Sequence, residues 1–160
     1  MPKTCDKMYL VIMIICKQGE IKMAAFKWKE EYNLNIEEID KQHKKLMEIG
    51  ERAYDIAIID DGYDRYDEIM TIIDELLEYT KYHFEYEENM LKEYNYNHTH
   101  DQAEEHEIYV NKINQVSSRE DIDENQRKII LEIIDFLSEW ISKHIMIADR
   151  GYAVFLKTVV

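Results

Sequence analysis

The sequence predicts an all-α fold, an up-down-up-down four-helix bundle with an N-terminal loop and a short C-terminal helical tail. Three observations carry that expectation. The 160 residues hold four Gly and a single Pro, Pro2, so the punctuation that breaks up all-β chains is missing. Long stretches are rich in Glu, Lys, Ile and Leu, which favour helices. Apolar side chains also recur at helical spacing in successive segments joined by polar connections. A chain of this length forms one domain and can bury a real core.

The elements follow in order. Residues 29–38 are mixed and loop-like, with Trp28 and Tyr32 as anchors onto the bundle. From Ile39 an apolar stripe runs through Leu46, Met47, Ile49, Ala53, Tyr54, Ile56 and Ala57, and Asp60, Asp61 and Gly62 stop it. A second stripe runs from Tyr66 through Ile69, Ile72, Ile73, Leu76, Leu77, Thr80, His83, Phe84 and Glu87 to Leu91. It ends at Tyr94-Asn95-Tyr96-Asn97. A third helix spans about 101–116, with Gln102, His106, Tyr109, Val110 and Ile113 on one face. Residues 117–125 are a polar connection in which Asp123 is a natural N-cap. The fourth helix covers about 124–144 on Ile129, Ile130, Ile133, Phe136, Leu137, Trp140 and Ile141. A tail over 149–156 packs through Tyr152 and Phe155.

Net charge is −14, from 34 acidic against 20 basic residues. Such a surface repels nucleic-acid phosphates and anionic lipid, so neither is expected as a partner. Cys5 and Cys16 both lie outside the periodic region, so a metal site in the body must use His and carboxylates. A cytoplasmic, reducing location is expected. The apolar run MYLVIMIIC (8–16) is about half of a membrane-spanning helix. With Lys3 and Lys7 before it, the run faintly resembles a signal peptide, but KQGEIK follows without a small-residue cleavage site. Residues 1–22 read as an extension, Met23 as a candidate start, and 23–160 as the bundle.

The six histidines carry the chemistry. Three crowd into HTHDQAEEH (98–106), yet the informative ones are spread one per helix: His43, His83, His106 and His144. His83 and Glu87 are spaced i, i+4, and Asp149 follows His144. Each lies on or beside an apolar stripe, where a buried Glu87 charge would cost several kcal/mol unless paired or metal-bound. Imidazole with carboxylate and no thiolate suits iron, manganese or zinc, and two carboxylates among several histidines suit a dinuclear centre. A ferritin-like site needs Glu-x-x-His, but the residues three before these histidines are Asp40, Thr80, Ala103 and Ile141. H-E-x-x-H is absent, which removes a zincin protease.

FKWKEEYNLNIEEIDKQHKKL (26–46), LLEYTKYHFEYEENML (76–91), EEHEIYV (104–110) and FLSEWISKHIMIADRGYAVFL (136–156) together resemble the hemerythrin family in its single-domain bacterial form. I-D-x-Q-H, H-F-x-x-E-E and H-x-x-x-x-D stand in the family's order. The resemblance implies two non-haem iron ions, carboxylate- and oxo/hydroxo-bridged, that bind dioxygen reversibly for storage, delivery or sensing, without enzymatic turnover. His43 and His83 would hold the iron with an open position, His106 and His144 the other, and Glu87 and Asp149 would bridge them. Asp149 lies five residues after His144, about 140° around a regular helix. The helix must therefore bend or end near 146–148.

One position departs from the pattern. Family members carry a further histidine four residues before the one matching His106, and here that residue is Gln102. Three readings are open: coordination through the amide oxygen, a solvent ligand held by Gln102, or substitution by His100. His100 lies about 160° away on a continuous helix, which favours the first two. Alternatives to oxygen carriage are a di-iron oxidase or peroxidase, and an iron-binding or structural bundle with a weakened site.

Overall fold

A computed structural model describes residues 26–59, 61–117 and 126–159. The expectations placed on residues 1–22, Met23 and Asp123 lie outside them. Among the described residues the long elements are all helical: α1 (Glu37–Ala57), α2 (Tyr66–Glu93), α3 (Thr99–Ser117) and α4 (Gln126–His144). A π-helical turn (Ile145–Asp149) continues α4 into α5 (Arg150–Val159), and a short 3-10 turn (Glu30–Tyr32) precedes α1. α1 packs on α2, α2 on α3, α3 on α4, and α4 closes the ring against α1. This is the expected four-helix bundle.

Local chemistry sets the ends. Glu37, Glu38 and Asp40 fall in the first turn of α1, and Asp67 and Glu68 in that of α2, where carboxylates oppose the positive helix end. The Asp64 carboxylate accepts the free Tyr66 N–H at 2.9 Å, satisfying one donor at the start of α2. At its far end Asn95 adopts a left-handed conformation (φ 54°), the Tyr96 N–H reaches the Leu91 carbonyl and the Asn95 N–H that of Lys92. That pair of bonds is a Schellman stop. α1 ends at Ala57, earlier than its expected stop at residue 60; left-handed Gly62 (φ 76°) belongs to the connection rather than to the helix end.

The core divides along the bundle. One half is dry, built from Ala53 on α1, Ile69, Ile72, Ile73 and Leu76 on α2, and Ile130, Ile133, Ile134 and Leu137 on α4. The other half holds the buried polar residues Gln42, His43, His83, Glu87, Gln102, His106, His144 and Asp149. The N-terminal segment closes over this end. Asp40 accepts the Leu34 N–H at 2.8 Å, the Tyr32 hydroxyl meets Ser142 at 3.2 Å, and Arg150 donates to the carbonyls of Asn33 and Glu31. Trp28 and Tyr32 stack edge-on at 5.9 Å, so both expected anchors sit there. No helix among the described residues is long and apolar enough to cross a membrane.

Candidate metal centre

The four bundle helices each send one histidine into the polar half of the core. His43 comes from the middle of α1, His83 from α2 one turn before Glu87, His106 from α3 and His144 from the last residue of α4. All are buried, and Glu87 and Asp149 are sealed completely, at 0% exposure. Their ligand-type atoms fall into two clusters, His43–His83–Glu87 and Glu87–His106–His144, which share Glu87. Asp149 lies between them from the other side. Its Oδ2 is 3.2 Å from His43 Nε2 and its Oδ1 is 3.1 Å from His144 Nε2. His106 Nε2 lies 3.1 Å from Glu87 Oε2 and 3.0 Å from His144 Nε2.

The spacing problem at Asp149 is solved by the backbone. The helix neither ends nor kinks after His144; it widens into a π turn over Ile145–Asp149. An i→i+5 turn brings residues five apart close to one face, and such turns occur frequently at functional sites.

Partners on the outer nitrogens fix which ring atom faces inward. The Gln42 amide NH₂ donates to Glu38 at 3.1 Å, so its oxygen is left to accept the His83 Nδ1–H at 2.9 Å. Glu88 accepts from His106 Nδ1 at 3.1 Å and Glu105 from His144 Nδ1 at 2.9 Å. With Nδ1 donating outward in each, Nε2 is the nitrogen that faces the centre, the arrangement that metal-ligating imidazoles use. His43 is the exception, since neither of its ring nitrogens has an aligned partner. Ring stacking holds the planes: Phe84 lies on His106 at 3.7 Å and Trp140 on His144 at 4.2 Å.

The electrostatics among the clustered side chains are lopsided. Burial pulls the His144 imidazolium down, but Asp149, with Glu105 and Glu87, outweighs it and raises the group to about 10. Burial pushes the Asp149 carboxyl up, yet His144 and His43 more than reverse this and hold it far below the carboxylate range. His83, buried and beside His43, is pushed well below its ordinary value. Burial, with Asp149 and Glu87 nearby, drives the Tyr152 phenol well up, so it stays a donor, and it donates to Glu87 Oε1.

The donor set fits a pair of divalent cations. Glu87 Oε2, both Asp149 oxygens and the Gln102 Oε1 are buried without aligned hydrogen-bond partners. The Gln102 oxygen left so costs about 1–3 kcal/mol, and a cation among these oxygens would partner all of them. Residues outside the cluster are equally clear. His98 is exposed and pairs with Asp101, and His100 is exposed beside Glu104 at 3.4 Å. α3 is already helical from Thr99, so the late start that would bring His100 inward is not present.

The match with known proteins agrees with this geometry. The family profile for the Hemerythrin HHE cation binding domain matches residues 34–156, and that span contains every clustered residue.

The chain belongs to the hemerythrin family.

Its similarity extends to named relatives. A bacteriohemerythrin of Clostridium acetobutylicum is 39% identical over 127 residues, covering 79% of this chain and 98% of that protein. The bacteriohemerythrins of Pseudomonas aeruginosa and Stenotrophomonas maltophilia are each 28% identical. They cover 81% and 82% of this chain, and 80% and 81% of their own lengths. Hemerythrin membership makes this an iron-binding, oxygen-binding family, and the buried His/Glu clusters are the place in this chain that could hold metal.

Sequence reasoning brought His43, His83, Glu87, His106, His144, Asp149 and Gln102 to this half of the core. It missed the residues that orient them. Gln42 stood inside I-D-x-Q-H and Glu88 inside H-F-x-x-E-E, so both were visible as motif letters without a role. Glu105 precedes His106 in sequence but serves His144, a cross-helix pairing with no local signal. Tyr152 was expected only to pack; its hydroxyl also tethers Glu87.

Proposed function

We propose that this hemerythrin binds dioxygen reversibly at a non-haem di-iron centre, for storage, delivery or sensing rather than turnover. The observation that carries the reading is the pair of buried clusters sharing Glu87, with Asp149 reaching a histidine of each. In this reading His43 and His83 hold one ion, His106 and His144 the other, and the two carboxylates span both. A ferrous pair there would supply the two electrons and the vacant coordination position that dioxygen binding needs.

The chain's own residues supply the rest. Gln42, Glu88 and Glu105 keep three imidazoles oriented with Nε2 inward. Tyr152 fixes Glu87 and keeps its proton. Phe84, Tyr109 and Trp140 form an aromatic wall on the side of His106 and His144, limiting the access of water to that half of the centre.

The test is the optical spectrum of the full chain, loaded anaerobically with Fe(II) and cycled between air and argon. Reversible carriage gives a visible charge-transfer band that appears in air and disappears under argon. A single irreversible oxidation contradicts it. Gln102 favours one second reading, an oxidase or peroxidase, because a weaker donor there opens the neighbouring ion to reaction. That reading expects steady consumption of a reductant together with oxygen.

A further inference from the structure

We infer that Gln102 is itself a metal ligand, through its side-chain oxygen, and that it makes the two cation positions unequal. The inference rests on the di-iron reading and specifies which half of the centre Gln102 belongs to. Gln102 is 3% exposed and lies one turn before His106 on the same face of α3. Its Oε1 is buried with no hydrogen-bond partner. An amide oxygen in that state carries a desolvation cost with nothing to offset it, whereas a cation beside His106 supplies the missing partner. The nearby histidines cannot take that place, since His98 and His100 are in solvent on carboxylates of their own.

The consequences follow from donor chemistry. The His43–His83 position offers two imidazoles with the shared carboxylates. The His106–His144 position adds to the same set a neutral oxygen, a poorer donor to iron than imidazole. Carbonyl and carboxylate oxygen suits harder cations such as Mn(II), while imidazole suits iron and zinc. The two positions therefore bind in two steps, numbered by position, and the second, at His106–His144, discriminates less against Mn(II) than a histidine there would.

Calorimetric titration of the metal-free full chain with Fe(II) and, separately, with Mn(II) tests this, comparing Gln102→His and Gln102→Leu with the wild type. The expected wild-type result is two resolved binding steps. Gln102→His tightens the second Fe(II) step tenfold or more and leaves the first unchanged. Gln102→Leu weakens only the second step, by tenfold or more for both ions. Thermal unfolding of the metal-free variants guards against misfolding: Gln102→Leu removes an unpartnered buried oxygen, so its midpoint equals or exceeds that of the wild type. Equal second-step affinities in wild type and Gln102→Leu, with Gln102→Leu folded, overturn the inference and leave the di-iron reading standing. Failure of the wild type to bind any ion overturns both.

Discussion

Tyr152 shows how much one hydroxyl carries. Its O–H donates a hydrogen bond to Glu87, a carboxylate with no exposed surface that both clusters share. Tyr152→Phe keeps the ring and removes the donor, so the metal-free protein should lose about 1–3 kcal/mol, read from urea unfolding. An unchanged midpoint would show that Glu87 finds another partner. Gln42 works on a different observable, because its oxygen keeps the His83 Nε2 lone pair inward. Gln42→Leu should weaken binding of the first ion by about 10–100-fold while the bundle stays folded; calorimetry with Fe(II) checks it. The clustered histidines and carboxylates were legible in the sequence because apolar stripes, helical spacing and motif order all pointed to them. Their supports were not, since Glu88 and Glu105 cross between helices whose relative rotation no single-helix pattern encodes.

Between elements, two contacts set how the chain closes around the centre. The π turn carries Asp149 back to His144, and Arg150 immediately after it holds the 31–33 backbone. The spacing of His144 and Asp149 required a departure near residues 146–148, yet its form could not be read from side-chain pattern, because bending, ending and widening all satisfy the same five-residue gap. The other contact is Phe26 on Gly50. A Cβ at Gly50 would sit 2.3 Å from the Phe26 ring, so glycine in mid-helix is the cost of seating that anchor. Gly50→Ala should gain about 1 kcal/mol in helix propensity and lose about 1–3 kcal/mol through overpacking. A lowered unfolding midpoint is expected, and a raised one would mean that Phe26 moves aside freely.

Across the whole molecule, the dry half of the bundle folds the chain and the polar half stores unmet donor capacity. The division explains why the fold was easier to read than the site: isoleucine stripes announce their partners, whereas Gln102 differs from a family letter only in what it can donate. It also sets a pH dependence for the metal-free protein. His144 is raised from its ordinary value near 6.5 to about 10 by Asp149, so its contribution to stability is fully present below pH 6.5 and is lost as pH rises through 10. Asp149 is lowered, so its share is lost only in strong acid. Urea midpoints of the metal-free chain should therefore fall between pH 6.5 and 10, and His144→Gln should flatten that fall. Metal loading should raise the thermal midpoint in a concentration-dependent way, since a ligand that binds only the folded state stabilises by mass action.

The most direct measurement is the iron content and Mössbauer spectrum of the chain after anaerobic loading with excess Fe(II) and removal of unbound metal. If Glu87 and Asp149 span two positions, the chain retains two irons, and on oxidation they behave as one magnetically coupled pair. One iron per chain, or two that remain uncoupled, would contradict the shared-carboxylate centre on which the account stands.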